Sequence, residues 1–501
     1  MTAIAAPAQT ATVGGMPNFG RWETFLHSCL SGLTLMAYSV ASVPEIAWTA
    51  ILPGILLILL TWGALELYKT DPLYLLTAGF WFRITAAVYY GLGGLWRVLA
   101  SDTTMIEILN FFNPSQEEMN KAQMVGTISI FIVIAVSNLV EGNRRKAISS
   151  NFIPVEAEKW IPAIVYCCIL IGFPALVYFT MQAFLEFAAE ANGLEFEADT
   201  NGVRQIANLA YLGTFLALYA GFRGRKTMLL IGIVGTALLL LDGALRMTKQ
   251  DMLMPLILAA IAHLVWRPTL RNAVVWVAGL GFMFSLFAPF IAYSREQAFR
   301  RYGTQDVSLD ARLDLIDSYL SSERDELTLG DDYQPWLARI TYLPAQAFAV
   351  MSYDTGRPGA SLDLAPYVFV PRLLMPDKPM FQPGLDFNEA AMDARNSQST
   401  PTIVAEGYYV GGWLGVIFWM SLYGAAIGLY SREAIRLLRA GHIVFLPVVL
   451  IALQVGQAAD GWIIGVVLGN GVVIAFAYAA SWAAQAALRY LWAGTKRPQT
   501  A

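Results

Sequence analysis

Residues 161–187 read IPAIVYCCILIGFPALVYFTMQAFLEF, an apolar run with no charged side chain before Glu186. A helix of about 20 apolar residues crosses the hydrocarbon core of a bilayer, so this run is long enough to do so. Similar runs recur along the 501-residue chain, which is 56% hydrophobic and only 14% charged. Soluble domains are about 25% charged. The sequence therefore predicts an all-α polytopic membrane protein.

Hydropathy predicts about twelve transmembrane helices in this chain. Their approximate bounds are 25–43, 46–67, 73–95, 123–141, 161–187, 204–221, 227–246, 252–266, 272–293, 405–429, 442–460 and 463–490. Basic residues follow the fourth, sixth, eighth, tenth and twelfth spans, at 144–146, 223–226, 267–271, 432–439 and 496–497. Positive charge in short loops stays in the cytoplasm, so both termini are predicted to be cytoplasmic.

This topology divides the chain into five segments. They are a disordered cytoplasmic tail (1–24), a nine-span membrane region (25–294), a periplasmic loop domain (295–404), a three-span membrane region (405–490) and a cytoplasmic tail (491–501). The first residues lack a positively charged start, so a cleavable signal is not expected. Segment 295–404, the insert, is the only long polar stretch between spans, and long loops are usually functional.

Two amphipathic helices are predicted within the insert. One would carry the apolar stripe Leu309, Leu313, Ile316 and Leu320, with aspartates on another face. The other would carry the stripe Trp336, Ile340, Leu343, Ala347 and Val350. This second helix is expected to lie at the membrane surface, with a tryptophan in the interfacial zone.

Composition also excludes some functions. The net charge of −4 gives no cationic field for nucleic acid. The three cysteines, Cys29, Cys167 and Cys168, lie in apolar runs and have no zinc or disulfide spacing. The adjacent acids Asp331 and Asp332 are a weak metal signal, and a solvated surface is the better interpretation. The sequence therefore predicts neither a metal nor a cofactor.

A proline-rich cationic motif lies in the insert. Arg372 and Lys378 are part of VPRLLMPDKP, residues 370–379, and Glu406 follows in TPTIVAEGY, residues 400–408. A glycine- and tryptophan-rich span comes next. This arrangement resembles the Wzy-type oligosaccharide repeat-unit polymerases, a group related to O-antigen ligases, and the predicted architecture is GT-C-like.

The resemblance implies a metal-independent glycosyltransferase of the bacterial inner membrane. Such proteins polymerise undecaprenyl-pyrophosphate-linked oligosaccharide units at the periplasmic face, in O-antigen, capsule or exopolysaccharide synthesis. The growing glycan moves from its lipid pyrophosphate to the non-reducing end of a new unit. The implied partners are that lipid-linked oligosaccharide, the lipid bilayer, a chain-length regulator and a flippase.

Cationic side chains are the expected catalytic groups, because they stabilise negative charge on a departing pyrophosphate. Arginine binds phosphate oxygens through a planar fork and stays charged. The candidates on the predicted outer side are Arg246, Lys249, Arg295, Arg339, Arg372 and Lys378, with Arg246 and Arg372 ranked first.

Carboxylates are the candidate bases and intramembrane partners. Glu406 and Asp460 lie at the predicted outer ends of spans and could take the proton from the attacking hydroxyl. Arg83 lies near the middle of the third span, where an unpaired charge is costly. Asp242 is a partner for Arg83 only if their depths match.

Two other functions fit parts of the pattern. A ligase of the same chemistry would move the glycan to a different acceptor, and the absence of a histidine from the predicted outer side favours a polymerase over it. A transporter or flippase would show repeated halves around a midplane site. No repeat between halves is evident here, and the long insert is unusual for that class.

Overall fold

The protein is built from helices. The computed structural model describes residues 18–40, 43–110, 112–142, 160–191, 201–302, 307–321, 334–370, 375, 378–379, 382–393 and 400–495, and no strand occurs in these ranges. Seven of the described helices are long and apolar enough to cross a membrane, and three shorter apolar helices accompany them. The chain is therefore an all-α polytopic membrane protein, as its composition predicts.

The helices are numbered in chain order. The first are α1 (Phe19–Ser39), α2 (Leu52–Thr70), α3 (Ala78–Ala86), α4 (Trp96–Leu99), α5 (Asp102–Asn110) and α6 (Gln116–Glu141). Next come α7 (Ile161–Ala191), α8 (Asn201–Phe222), α9 (Lys226–Leu245), α10 (Lys249–Trp266) and α11 (Leu270–Tyr302). The insert contains α12 (Leu309–Leu320), α13 (Pro335–Ala338), α14 (Leu343–Asp354), α15 (Ala365–Val368) and α16 (Pro383–Met392). The last are α17 (Thr402–Arg439), α18 (Leu446–Gln457) and α19 (Asn470–Thr495).

Helix boundaries differ from hydropathy at three places. α1 begins at Phe19, inside the segment predicted as a tail. The predicted third span is broken, because a 3₁₀ turn (Pro72–Leu76) precedes α3 and a π-helical turn (Ala87–Leu92) follows it. α11 continues to Tyr302, past the predicted end of the ninth span. Its 33 residues extend about 50 Å, well beyond the roughly 30 Å hydrocarbon core.

One face of α9 is suited to contact lipid. Leu230, Val234, Leu238 and Leu241 are exposed and recur every three or four residues, so they form one stripe. Leu239, which points away from that stripe, is fully buried against α7 and α8. An exposed apolar stripe on an otherwise packed helix is expected where acyl chains replace water.

The insert contacts the end of the bundle at which α6 begins. The backbone amide of Gln334 donates to Thr104 Oγ1 at 2.8 Å, and Lys121 Nζ lies 2.5 Å from Asp354 Oδ2. Thr104 and Lys121 belong to the loop region 96–122. This end is called the insert end. The segments that the twelve-span count assigns to one side thus contact one another.

Basic residues at the end of α17 meet the other end of the bundle. Arg439 Nη2 donates to Asp71 Oδ2 at 2.8 Å, just beyond the end of α2. Arg432 Nη1 donates to the carbonyl of Val140 at 3.3 Å, in the last turn of α6. Because α6 starts at the insert end and finishes here, these contacts define an opposite end, which carries positive charge.

The insert helices pack differently from the predicted stripes. α12 forms where predicted, but Leu313 and Leu320 are exposed, whereas Ala311 and Leu315 are buried. The predicted second helix is interrupted at 339–342 and resumes as α14. The apolar stripe of this helix is covered by protein, because α14 packs between α6 and α17 and buries Val350. Its position at the membrane surface stays a prediction.

Candidate active site

Three arginines surround the turn that follows α9. Arg246 ends the helix, Arg295 Nε donates to the carbonyl of Met247 at 3.2 Å, and Arg312 Nη1 donates to the carbonyl of Leu245 at 2.6 Å. The helix C-terminus carries partial negative charge, which favours cations at this position. The turn thus brings together guanidinium groups from α9, α11 and α12.

Two carboxylates balance part of that charge. Arg246 Nη2 pairs with Asp242 Oδ2 one turn earlier, and Arg246 Nη1 lies 3.2 Å from Asp251 Oδ2. Thr180 Oγ1 donates to Asp242 Oδ1 at 2.5 Å and so connects α7. Asp242, Arg246, Asp251, Arg295 and Arg312 are called the arginine cluster, and together they carry one net positive charge.

The backbone of this turn is strained. Met247 has φ of 52°, in the left-handed region that non-glycine residues rarely adopt. The Met247 side chain is 2% exposed and packs with Ala298, Val307 and Leu315, which hold it in place. Such strain persists only where the surroundings fix it, and it is frequent at functional sites.

One donor of Arg246 is unsatisfied among the described residues. The side chain is only 15% exposed, and its buried Nε makes no hydrogen bond of good geometry there, nor does the buried hydroxyl of the neighbouring Tyr211. A buried guanidinium donor without an acceptor is unfavourable, because the group has lost water without replacement. An anionic oxygen at this position would satisfy it. Phe179 covers the same guanidinium, with its ring centroid 5.6 Å from Cζ.

A second polar group lies where α18 ends. Tyr342 OH donates to Asp460 Oδ2 at 3.1 Å, and the Tyr89 and Tyr342 rings meet edge to face at 5.3 Å. Burial and then the negative charge of Asp460 raise the pKa of Tyr342, so its hydroxyl stays protonated and donates. Asp460 is half-buried. Tyr89, Tyr342 and Asp460 are called the tyrosine–aspartate cluster.

Glu406 lies near this cluster but has a different environment. Its carboxylate is fully buried and accepts from Ser361 Oγ at 2.6 Å and from the backbone N–H of Ile463 at 2.5 Å. Both carboxylate oxygens therefore hold chain segments together, namely the 358–364 loop and the turn after α18. The sequence-based role of Glu406 as a base stays a prediction, and its contacts favour a positioning role.

Arg83 and Asp242, the two charged residues predicted to lie within the membrane, bind different partners. Arg83 is fully buried and binds Glu23 through two contacts, Nε–Oε1 at 2.6 Å and Nη2–Oε2 at 2.7 Å. Asp242 instead binds Arg246. The suggested Arg83–Asp242 pair was therefore wrong. Arg83 also lies close to the ends of helices and not at mid-depth, since its other side-chain partner, Asn138, is in the last turn of α6.

The remaining candidates lie in several places. Arg339 follows α13 and lies near Tyr342. Its positive charge lowers the pKa of that tyrosine, against the larger upward effect of burial. Lys378 Nζ donates to the carbonyl of Val370 at 3.0 Å, within its own motif. Lys249 begins α10, but its side chain lies outside the described part of the chain, as do Arg372 and the acids at 331–332.

The sequence patterns did not identify two important residues, Arg312 and Glu23. Arg312 lies on a helix interpreted as apolar on one face and acidic on another, and the signal available was that it is the only basic residue of α12. Glu23 was assigned to the tail, so its burial was not expected. No cluster of three or more His, Cys, Asp or Glu residues suited to a metal occurs within the described ranges.

The fold and these groups define a polytopic helical membrane protein with charged and aromatic side chains gathered at one end of its bundle. Comparison of the chain with protein-family models, curated proteins and solved structures finds no match.

Proposed function

We propose that the protein polymerises undecaprenyl-pyrophosphate-linked oligosaccharide repeat units, as a metal-independent glycosyltransferase of a bacterial inner membrane. The observation that supports this most is the arginine cluster, in which three guanidinium groups from separate helices surround one turn and the buried Nε of Arg246 makes no hydrogen bond to any described residue. Pyrophosphate oxygens would accept from such donors, and arginine is the side chain best suited to them.

The proposal includes a topology of twelve crossings with both termini cytoplasmic. The contacts of the insert with residues 96–122, and of the basic α17 end with Asp71 and Val140, support it. Under this topology the insert end faces the periplasm. The arginine cluster then lies on the side where lipid-linked repeat units, a flippase and a chain-length regulator would meet the enzyme.

The reaction exchanges one bond at the anomeric carbon. A hydroxyl of the acceptor unit attacks that carbon, and the bond to the pyrophosphate oxygen of the donor breaks. The arginine cluster would stabilise the negative charge that leaves with the lipid pyrophosphate. Asp460 would take the hydroxyl proton, and Tyr342 would orient Asp460. α11, which carries Arg295, also contacts α13, the helix that precedes Arg339 and Tyr342.

The test is transfer by the purified protein in liposomes containing a lipid-pyrophosphate oligosaccharide. We expect a ladder of products. A single transfer to a different acceptor would indicate a ligase, and movement across the bilayer without bond cleavage would indicate a transporter.

Variants of Arg246 test the site within that assay. Arg246→Lys keeps the charge next to Asp242 and Asp251 but loses the planar fork, so we expect the protein to fold and the rate to fall at least tenfold. Removal of a transition-state donor typically costs about 10²–10³-fold, which is the expectation for Arg246→Ala. Arg223→Lys is the matched control, because Arg223 stacks on Trp266 away from the cluster. An Arg246→Lys variant with unchanged rate would contradict the assignment.

A further inference from the structure

A groove runs between three helices of the C-terminal region, away from the candidate active site. α17, α18 and α19 enclose about 510 Å³ there. Val448, Val449 and Ala452 line it from α18, and Ile474 and Ala475 from α19. This volume is within the range of small-molecule pockets, which is about 300–1,000 Å³.

Helix length and small side chains account for the space. α18 has 12 residues and is about 18 Å long, much shorter than the roughly 30 Å hydrocarbon core. A Cβ added at Gly471 would meet only Tyr430 OH, at 3.6 Å, among the described atoms. Ala434 and Ala452 also project little into the groove. A short helix leaves a volume beside it that protein side chains do not fill.

One end of the groove is polar. Arg436 Nε donates to Glu433 Oε2 at 2.8 Å, and Tyr478 OH donates to Glu433 Oε1 at 3.0 Å. The Arg436 side chain remains 64% exposed, so its guanidinium is accessible to an external anion. These three residues lie at the opposite end of the bundle, next to the basic C-terminus of α17.

Arginines are concentrated around this polar end. α17 carries Arg432, Arg436 and Arg439 in its last two turns. Acids accompany them, since Glu433 pairs with Arg436, the carboxylate after α2 pairs with Arg439, and Glu141 lies in the α6 turn that Arg432 contacts. Arg432 and Arg436 nevertheless stay exposed, and exposed guanidinium groups can donate to a negatively charged head group.

We propose that the groove binds one anionic glycerophospholipid of the surrounding bilayer. Its phosphate contacts Arg436, and one acyl chain lies along α18 and α19. A soluble anion would leave the apolar walls in water, and an uncharged amphiphile would not use the exposed guanidinium of Arg436. This inference does not depend on the proposed function.

Native mass spectrometry tests the proposal on protein released from nanodiscs of equal phosphatidylglycerol and phosphatidylcholine. We expect one phospholipid to remain bound, with phosphatidylglycerol retained about fivefold over phosphatidylcholine, as expected for one basic contact at a charged membrane surface. Arg436→Gln should abolish that preference. Gly471→Leu should fill the groove and remove retention of both lipids.

Matched controls use residues outside the groove. Arg223→Gln removes an arginine outside the groove. Gly279→Leu adds a leucine at an open site on α11, where a new Cβ would have no described atom within 4 Å. Both should retain phosphatidylglycerol as the unmodified protein does. Equal retention of the two lipids, or unchanged retention in Gly471→Leu, would overturn the proposal. A dimer that Gly471→Leu dissociates would assign the groove to a second copy of the chain and would also overturn it.

Discussion

Removing one member of the Glu23–Arg83 pair should destabilise the protein far more than removing both. Each nitrogen of Arg83 donates a hydrogen bond, to Glu23, to Asn138 Oδ1 at 3.1 Å, or to the carbonyl of Gly79 at 2.7 Å. The side chains of Arg83 and Glu23 are 0% and 1% exposed. Arg83→Met leaves the Glu23 carboxylate buried without its cation, and Glu23→Gln leaves the guanidinium without its anion.

The size of the expected destabilisation follows from the charge that stays buried without its partner. Breaking a buried ion pair from one side costs about 3–5 kcal/mol, because a charge then remains desolvated and unpaired. Replacing both partners with apolar residues of similar volume is about neutral, or stabilising by roughly 1–4 kcal/mol. We therefore expect the stability of Glu23→Leu/Arg83→Met to lie within about 1 kcal/mol of that of the unmodified protein or above it. Asn138 would keep its hydrogen bonds to the carbonyl of Gly20 and to Thr24 Oγ1.

The assay is the free energy of unfolding, from denaturant titration in mixed micelles with helicity as the signal. Gly63→Ala gives an independent measure, because its Cβ would lie 2.3 Å from Glu23 Oε1 and would displace the pair. Overpacking of this kind costs about 1–3 kcal/mol. Gly54→Ala, in the same helix with no described atom within 4 Å of the new Cβ, is the control and should change little. A loss of less than 1 kcal/mol in both single variants, or a double variant as unstable as either, would refute the reasoning.

Three further predictions concern the proposed reaction and topology. Tyr342→Phe removes the donor to Asp460 and should slow glycan transfer about fivefold, the equivalent of a hydrogen bond of about 1 kcal/mol, whereas an unchanged rate would remove Asp460 from the mechanism. EDTA should leave transfer intact, and a strict requirement for added divalent cation would redirect attention to Asp331 and Asp332. A cysteine at position 300 should react with an impermeant thiol reagent from outside the cell, and one at position 440 only after the membrane is opened; the reverse pattern would contradict the proposed orientation.

Composition was sufficient to predict the fold class, because a bilayer requires long apolar helices and these can be recognised in the sequence. Helix ends were less predictable. The tail was expected to end at residue 24, but α1 begins at Phe19 since Glu23 finds a buried partner 60 residues away. A hydropathy scale treats the burial of Glu23 as unfavourable, and only its partner in the folded protein, Arg83, makes that burial favourable.

The site could be predicted in part. Arg246 and Arg295 were selected from the sequence, and the structure brings them to one turn. Arg312 was not selected, because its helix was interpreted as apolar on one face and acidic on another, and its place as the only basic residue of α12 was not used. The second insert helix was predictable only in part, because an apolar stripe indicates that a helix is buried on one face, but not whether lipid or protein covers it. α14 is covered by α6, α16 and α17.

The two buried arginines differ in a way that separates structure from function. Arg83 has an acceptor for each nitrogen, and Glu23 accepts additionally from Asn138 Nδ2 at 3.0 Å, so no nitrogen of Arg83 needs an external acceptor. Arg246 lies beside a strained residue, Met247, and among the described residues its Nε has no acceptor. The packing around Met247 holds its strained backbone in place, and an anionic oxygen of the proposed substrate would satisfy the Arg246 donor. Arg246 is therefore the arginine at which an anionic substrate should bind, and Arg83 is the one whose substitution should affect folding without changing substrate affinity.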